Sequence, residues 1–238
     1  MNEIRFLPCG DGAVTVEFSR EINENVNRMI RYLAGEIEKQ QISGVSETVP
    51  TFCSMTIYFD PLKISKRRLQ KRVTKIINKY EKGTAESRRV FMIPVCYEDE
   101  FAPDMDDVSK LTKLSRDEII SIHTSRDYLI YMLGFLPGFP YLGGMDSRIE
   151  CPRLDSPRTA IPEGAVGIGG KQTGIYPMQS PGGWRLIGRT PVKVYDMSKP
   201  EPIPYRAGDY IRFYPITAQD YIRIQADPDF KIEIREEK

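Results

Sequence analysis

Glycine and proline crowd the second half of this 238-residue chain: twelve of its eighteen Gly and thirteen of its eighteen Pro lie at or beyond Pro137. Proline lacks a backbone donor and clashes with the preceding helical turn, and glycine costs helix stability, so long helices are excluded there. Between the turn signals stand short apolar runs at residues 166–168, 184–187, 192–195 and 210–214, the pattern of a β-barrel or sandwich. The uncharged run 128–145 has the length of a membrane helix but contains Gly134, Pro137, Gly138, Pro140, Gly143 and Gly144, so it reads as a strand entering an irregular loop. Residues 135–144 are expected to form a rigid loop, neither helix nor central strand. No membrane association is expected, and Glu3 and Asp11 stand where an export signal is apolar.

The earlier residues carry two periodicities in turn. Residues 4–7, a Gly10-Asp11-Gly12 turn, and Val14, Val16 and Phe18 alternating with Thr15 and Glu17 predict two strands. Ile22, Val26, Ile30, Leu33 and Ile37 form one helical stripe, and residues 45–50 and 52–59 read as strands. A second helix, capped by Ser65, carries Leu69, Val73, Ile76, Ile77 and Tyr80 and ends at Gly83. This order predicts an α+β sandwich, both helices on one face of a mostly antiparallel sheet, spanning residues 1–88. Residues 89–238 form the second domain. It opens with a strand at 90–97 and two short helical pieces, with Ser115 and Glu118 at capping-box spacing, then a strand at 128–135; a last helix starts at Thr217.

Thirty-four basic against thirty-three acidic residues give a net charge of +1, which argues against a polyanion-binding protein. The split is uneven, +5 over residues 1–89 and −4 beyond, and nine of the twenty residues 63–82 are Lys or Arg. That run reads as the solvated face of a helix, or else as a surface for an acidic protein partner; no aromatic is interleaved to stack a base, so no nucleic-acid partner is expected. Cys9, Cys53, Cys96 and Cys151 are widely scattered and read as free thiols of a protein in the reducing cytoplasm.

His123 is the single histidine, which excludes His-rich zinc sites and paired-His metal helices, and no metal is expected. A Ser-His-Asp triad would have to use it, without a Gly-x-Ser-x-Gly elbow. His123 either stabilises a helix end, hydrogen-bonds in a half-buried position, or serves as a catalytic group near the Gly/Pro loop. The glycine-rich stretch 164–174 fails a Walker pattern at Ala165 and Gln172 and also fails the dinucleotide pattern. Its glycines allow tight turns and bulges, or close approach of a ligand or partner. Three stiff loops remain: residues 135–144, rich in aromatics; 151–158, with Arg153 and Arg158; and 180–185, with the only Trp, Trp184. Arginine on such a loop suits a carboxylate or phosphate, and loop aromatics supply binding surface.

Residues 131–144, 159–162, 167–176 and 180–191 resemble the family of 5-oxoprolinase B-subunits, which includes the KipI sporulation-kinase inhibitors and also carries the name allophanate hydrolase subunit 1. The opening Phe6-Leu7-Pro8-Cys9-Gly10-Asp11-Gly12-Ala13 is similar to that family's N-terminal signature. The resemblance implies a small α+β domain followed by a cyclophilin-like β-barrel. It implies a component of an ATP-dependent 5-oxoprolinase, which opens 5-oxo-L-proline to L-glutamate together with subunits C and A, ATP being co-substrate of the complex. No amidase Ser-Ser-Lys set accompanies the allophanate name.

On this reading the chain contributes part of a composite site and is inactive alone. His123 is the catalytic candidate, and Arg153, Arg158, Gln172, Tyr176, Trp184, Phe135, Pro137 and Phe139 are the candidates for contact with substrate or partner. The same resemblance implies an alternative, a KipI-like inhibitor that binds a sensor histidine kinase through the loop at 136–141. A third reading is a carboxyltransferase-like module, for which the sequence lacks a biotin-carrier Met-Lys-Met segment.

Overall fold

Alternating apolar residues build the first sheet. β1 (Arg5–Pro8) and β2 (Ala13–Glu17) form an antiparallel hairpin, followed by α1 (Glu24–Gln40), β3 (Val45–Pro50), β4 (Ser54–Phe59) and α2 (Lys66–Ile77). The strand order is β1-β2-β4-β3, antiparallel throughout, with Val14 opposite Ile57 and Val16 opposite Met55, all four buried. Asn23 caps α1 by accepting from the Asn25 and Val26 amides, and Ser65 caps α2 by accepting from Arg68. Ile30, Leu33 and Ile37 of α1 and Leu69, Val73, Ile76 and Ile77 of α2 join the strand side chains in one core. Arg67, Arg68, Lys71, Arg72 and Lys75 face away from it, exposed.

The structure, a computed structural model, describes residues 4–21, 23–80 and 88–237; the expected stripe residue Ile22 and helix terminator Gly83 lie outside them. The chain divides into two compact units, Met1–Ala85 and Glu86–Lys238.

The second unit begins with β5 (Arg88–Cys96), then α3 (Met105–Thr112) and α4 (Arg116–Thr124). Ser115 and Glu118 form the expected capping box at α4, each satisfying the other's backbone N–H. The strands that follow are β6 (Asp127–Leu133), β7 (Pro140–Gly143), β8 (Arg158–Ile161), β9 (Ala165–Gly169), β10 (Gln172–Ile175), β11 (Ser180–Gly182), β12 (Arg185–Arg189) and β13 (Tyr210–Ile216). The chain ends with α5 (Ala218–Ala226), capped by Thr217, and β14 (Glu233–Glu237). Seven strands close a barrel in the order β12-β9-β10-β7-β6-β13-β5, β5 and β12 meeting only at Cys96 and Arg189. β13 runs parallel to β5 along its length, and β14 lies outside the ring, antiparallel to β5 over Arg88 to Met92. β8 and β11 form a separate two-stranded ribbon.

Two expectations are corrected, and one strand was not expected. Residues 140–143, expected in a loop unfit for a central strand, form β7 between β6 and β10. Pro140 is tolerated because it opens the strand. Residues 192–195, expected as a strand, are irregular; Val192 gives its amide to the Thr190 hydroxyl instead of a ladder. β14 has no apolar alternation to announce it, since four of its five residues are charged.

Phe91, Ile93, Val95, Val166, Ile168, Ile175, Ile187 and Phe213 fill the barrel, and Met105, Val108, Ile119 and Ile122 of the two helices extend the same core. All four cysteines are free thiols.

Candidate functional site

Side chains alternate across a strand, so Val166 and Ile168 of β9 and Ile175 of β10 enter the barrel core while Gly167, Gly169 and Gly174 lie on the outer face. A Cβ at Gly169 would collide with the indole Nε1 of Trp184, and one at Gly174 would stand 3.1 Å from its ring and 2.8 Å from the Pro140 carbonyl oxygen. The glycine-rich stretch is thus a flat bed for Trp184. It is a β-hairpin and not a loop of converging amides, so it does not fit a triphosphate.

On that bed the aromatic residues of three motifs meet. The Phe139 ring centroid lies 5.5 Å from Trp184, 5.2 Å from Tyr176 and 5.0 Å from Tyr141, in edge-on or tilted geometry. The Trp184 backbone lies close enough to the Tyr176 hydroxyl to favour its ionised form. Burial is the main cause that raises both the Tyr141 and Tyr176 phenol pKa values, opposed by the positive charge of Arg153. Arg153 holds its guanidinium carbon 5.9 Å from the Trp184 ring centroid, a cation–π contact. Phe135 stacks edge-on against Phe139 at 5.7 Å.

The cluster is more closed than a binding surface. Phe139 and Tyr176 are each 2% exposed and Trp184 is 4% exposed, so these three are packed core and not the solvent-facing contacts expected. The exposed rim consists of Phe135, 61% exposed, with Pro137 and Arg153, while Tyr141, Leu136 and Gln172 are half-buried. Phe135 also has φ +65°, in the left-handed region that a non-glycine residue enters at a cost.

Arg158 is not free to meet a substrate. Its guanidinium donates twice to the Asp104 carboxylate, at 2.9 and 2.6 Å, and the same carboxylate accepts the Leu186 amide at 2.7 Å. This pair ties the β8–β11 ribbon to the start of α3, because Arg158 opens β8 and Asp104 precedes Met105.

His123 lies elsewhere. It is fully buried in the barrel, stacked on Phe213 with centroids 4.6 Å apart. Thr173 donates its hydroxyl to the Gly167 carbonyl and so accepts from His123 Nε2 at 2.9 Å; Nδ1 then accepts from the Tyr97 hydroxyl at 2.8 Å. Burial lowers its pKa to about 3, so the ring is neutral at ordinary pH. Both nitrogens are occupied and no solvent reaches them, which removes the ring from the catalytic position expected of it. The sequence placed it near a helix end, but its partners Tyr97 and Thr173 carried no signal.

Sequence reasoning also passed over Tyr141 and Asp104. Tyr141 stood inside a motif of loop aromatics; Asp104 had no pattern to mark it. Among the described residues no group of three or more His, Cys, Asp or Glu is placed to hold a metal ion, and no helix is long and apolar enough to cross a membrane.

Residues 4–205 match the family described as carboxyltransferase domain, subdomain C and D. The chain is 44% identical over 226 residues to the 5-oxoprolinase B-subunit of Bacillus subtilis (strain 168), covering 89% of this chain and 92% of that one. It is 35% identical over 216 residues to the 5-oxoprolinase B-subunit of Escherichia coli O157:H7, covering 90% and 97% of the two chains. The crystal structure of Kluyveromyces lactis urea carboxylase matches with a TM-score of 0.83 at 25% identity, over 98% of this chain and 24% of that one.

Proposed function

The chain belongs to the family of 5-oxoprolinase B-subunits, and from that premise we propose that it is one part of an ATP-dependent enzyme that hydrolyses 5-oxo-L-proline to L-glutamate. The observation that carries the composite-site reading is the rim of Phe135, Pro137 and Arg153 around a closed aromatic cluster. Hydrolysis adds water across the lactam C–N bond, which needs an activated water and donors for the developing oxyanion. The rim supplies donors and an apolar wall but no nucleophile with a neighbouring base, His123 being sealed in the barrel. Arg153 suits the substrate carboxylate, its guanidinium oriented by the Trp184 ring beneath it. Subunits C and A would close over this rim and bring the remaining groups. The glycine stretch here is taken up by Trp184 and so is not the place for ATP, the co-substrate of the complex.

Glutamate release that depends on ATP and 5-oxoproline, measured with the chain alone and with subunits C and A, tests this. Turnover is expected only in the assembled complex, and Arg153→Gln is expected to raise KM about tenfold. Robust turnover by the lone chain would overturn the shared site.

The exposed Phe135 also favours a second reading, a KipI-like inhibitor that docks this loop on a sensor histidine kinase. Loss of kinase autophosphorylation with the wild-type chain, retained with Phe135→Ala, is its signature; no effect on a cognate kinase counts against it.

A further inference from the structure

A second cavity lies apart from the aromatic cluster, at the seam of the barrel. β12 leaves β5 after the single pair Arg189 and Cys96, and β14 takes over the β5 edge. Between them opens a cleft of about 690 Å3, in the size range of small-ligand pockets. Phe91, Tyr221, Ile224, Phe230 and Ile232 give it an apolar floor, and none of them belongs to the Trp184 cluster.

One cation there is held ready. Arg189 donates its Nε–H to the Glu163 carbonyl at 2.8 Å, while its two terminal nitrogens have no partner among the described residues. The brace is rigid: Gly164 sits at φ +79° so close to the Thr190 carbonyl oxygen that a Cβ would collide with it, and its own carbonyl accepts the Thr190 amide at 2.9 Å. The Tyr221 hydroxyl, on a residue 4% exposed, likewise has no partner among the described residues. Burial chiefly raises the Tyr221 pKa, the Arg189 charge opposes that rise, and Cys96 and Glu163 add to it, so Arg189, Glu163 and Tyr221 share one electrostatic neighbourhood.

The acids on the rim are largely committed. Asp196 accepts from the Ser198 amide and hydroxyl, Asp227 accepts the Asp229 amide, and the Glu201 charge reaches Arg89. Lys193 and Lys199 are in turn drawn to Asp196, which leaves Arg189 and Lys231 against Glu163.

We propose that this cleft binds a small carboxylic acid with an aromatic or branched apolar body, its carboxylate between the Arg189 terminal nitrogens and the Tyr221 hydroxyl and its body over Phe91 and Ile224. A fixed guanidinium fork meets both oxygens of a carboxylate, and the floor behind it rewards apolar area. The site is independent of the 5-oxoprolinase reading, so either can fail without the other.

The probe is N-acetyl-L-phenylalanine, titrated into the 15N-labelled full chain. Saturable shifts are expected at the amides of Gly164, Thr190, Val192 and Ile232, with the Trp184 indole signal unmoved. The uncharged N-acetyl-L-phenylalanine amide and the Arg189→Gln chain should each bind about tenfold more weakly. Because Arg189 also braces Glu163, Ile224→Trp serves as second variant: it fills the cleft, leaves the arginine in place, and must also lose the probe. No saturation by about 10 mM, shifts centred on Trp184, or binding untouched by both variants would overturn the site.

Discussion

His123 sets a limit on stability in acid. The folded chain keeps the ring neutral down to about pH 3, because burial opposes the charge, whereas an unfolded histidine takes a proton near its ordinary value of 6.5. Between those values the unfolded state binds more protons, so stability is full above pH 6.5 and falls as the pH drops, by about 1.4 kcal/mol per unit. Urea unfolding should show the wild-type chain about 1 kcal/mol less stable at about pH 5 than at about pH 6, a slope that His123→Gln removes. An unchanged slope in the variant would mean that another group carries it. Gly169→Ala tests the bed beneath Trp184: the added methyl drives the indole off the sheet, at a cost of about 1–3 kcal/mol and with a red shift of its fluorescence. Residue types were legible in the sequence, but not their environments. His123 finds its partners 26 and 50 positions away, and a pairing at that distance leaves no local trace.

Helix starts were legible because capping is local. Ser65, Ser115 with Glu118, and Thr217 all cap the helices that their spacing predicts. Ser115→Ala should therefore cost about 1 kcal/mol by thermal unfolding, with Glu118→Gln milder because it keeps an acceptor. Strands that depend on distant neighbours were harder to read. β7 hides among prolines and glycines because its place comes from β6 and β10 on either side. β14, written Glu-Ile-Arg-Glu-Glu, is a strand only because the β5 edge is open there. Removing residues 233–238 uncovers that edge at 88–92, so the truncated chain should melt earlier and scatter light on warming. Unchanged melting would show that β14 adds nothing to the barrel.

At the scale of the whole molecule, the Gly and Pro distribution announced a second unit of short strands, and the two early periodicities announced the helix-covered sheet. The site was legible as motifs and not as a surface, since Phe139, Tyr176 and Trp184 turn toward each other and leave Phe135 outside. Phe135→Ala should leave thermal stability within about 0.5 kcal/mol of wild type, because the side chain buries little, yet cut the activity of the assembled complex about tenfold. Equal activity would remove the loop from the interface.

The parallel pairing of β5 with β13 runs from Val90 and Tyr210 to Cys96 and Ile216. On a ribosome the apolar β5 leaves the exit tunnel long before its neighbour has been translated, and at about 5–20 residues per second the delay is on the order of ten seconds. A nascent chain of this kind spends that interval with the β5 edge unpaired, exposed to the misassociation that open apolar strands invite.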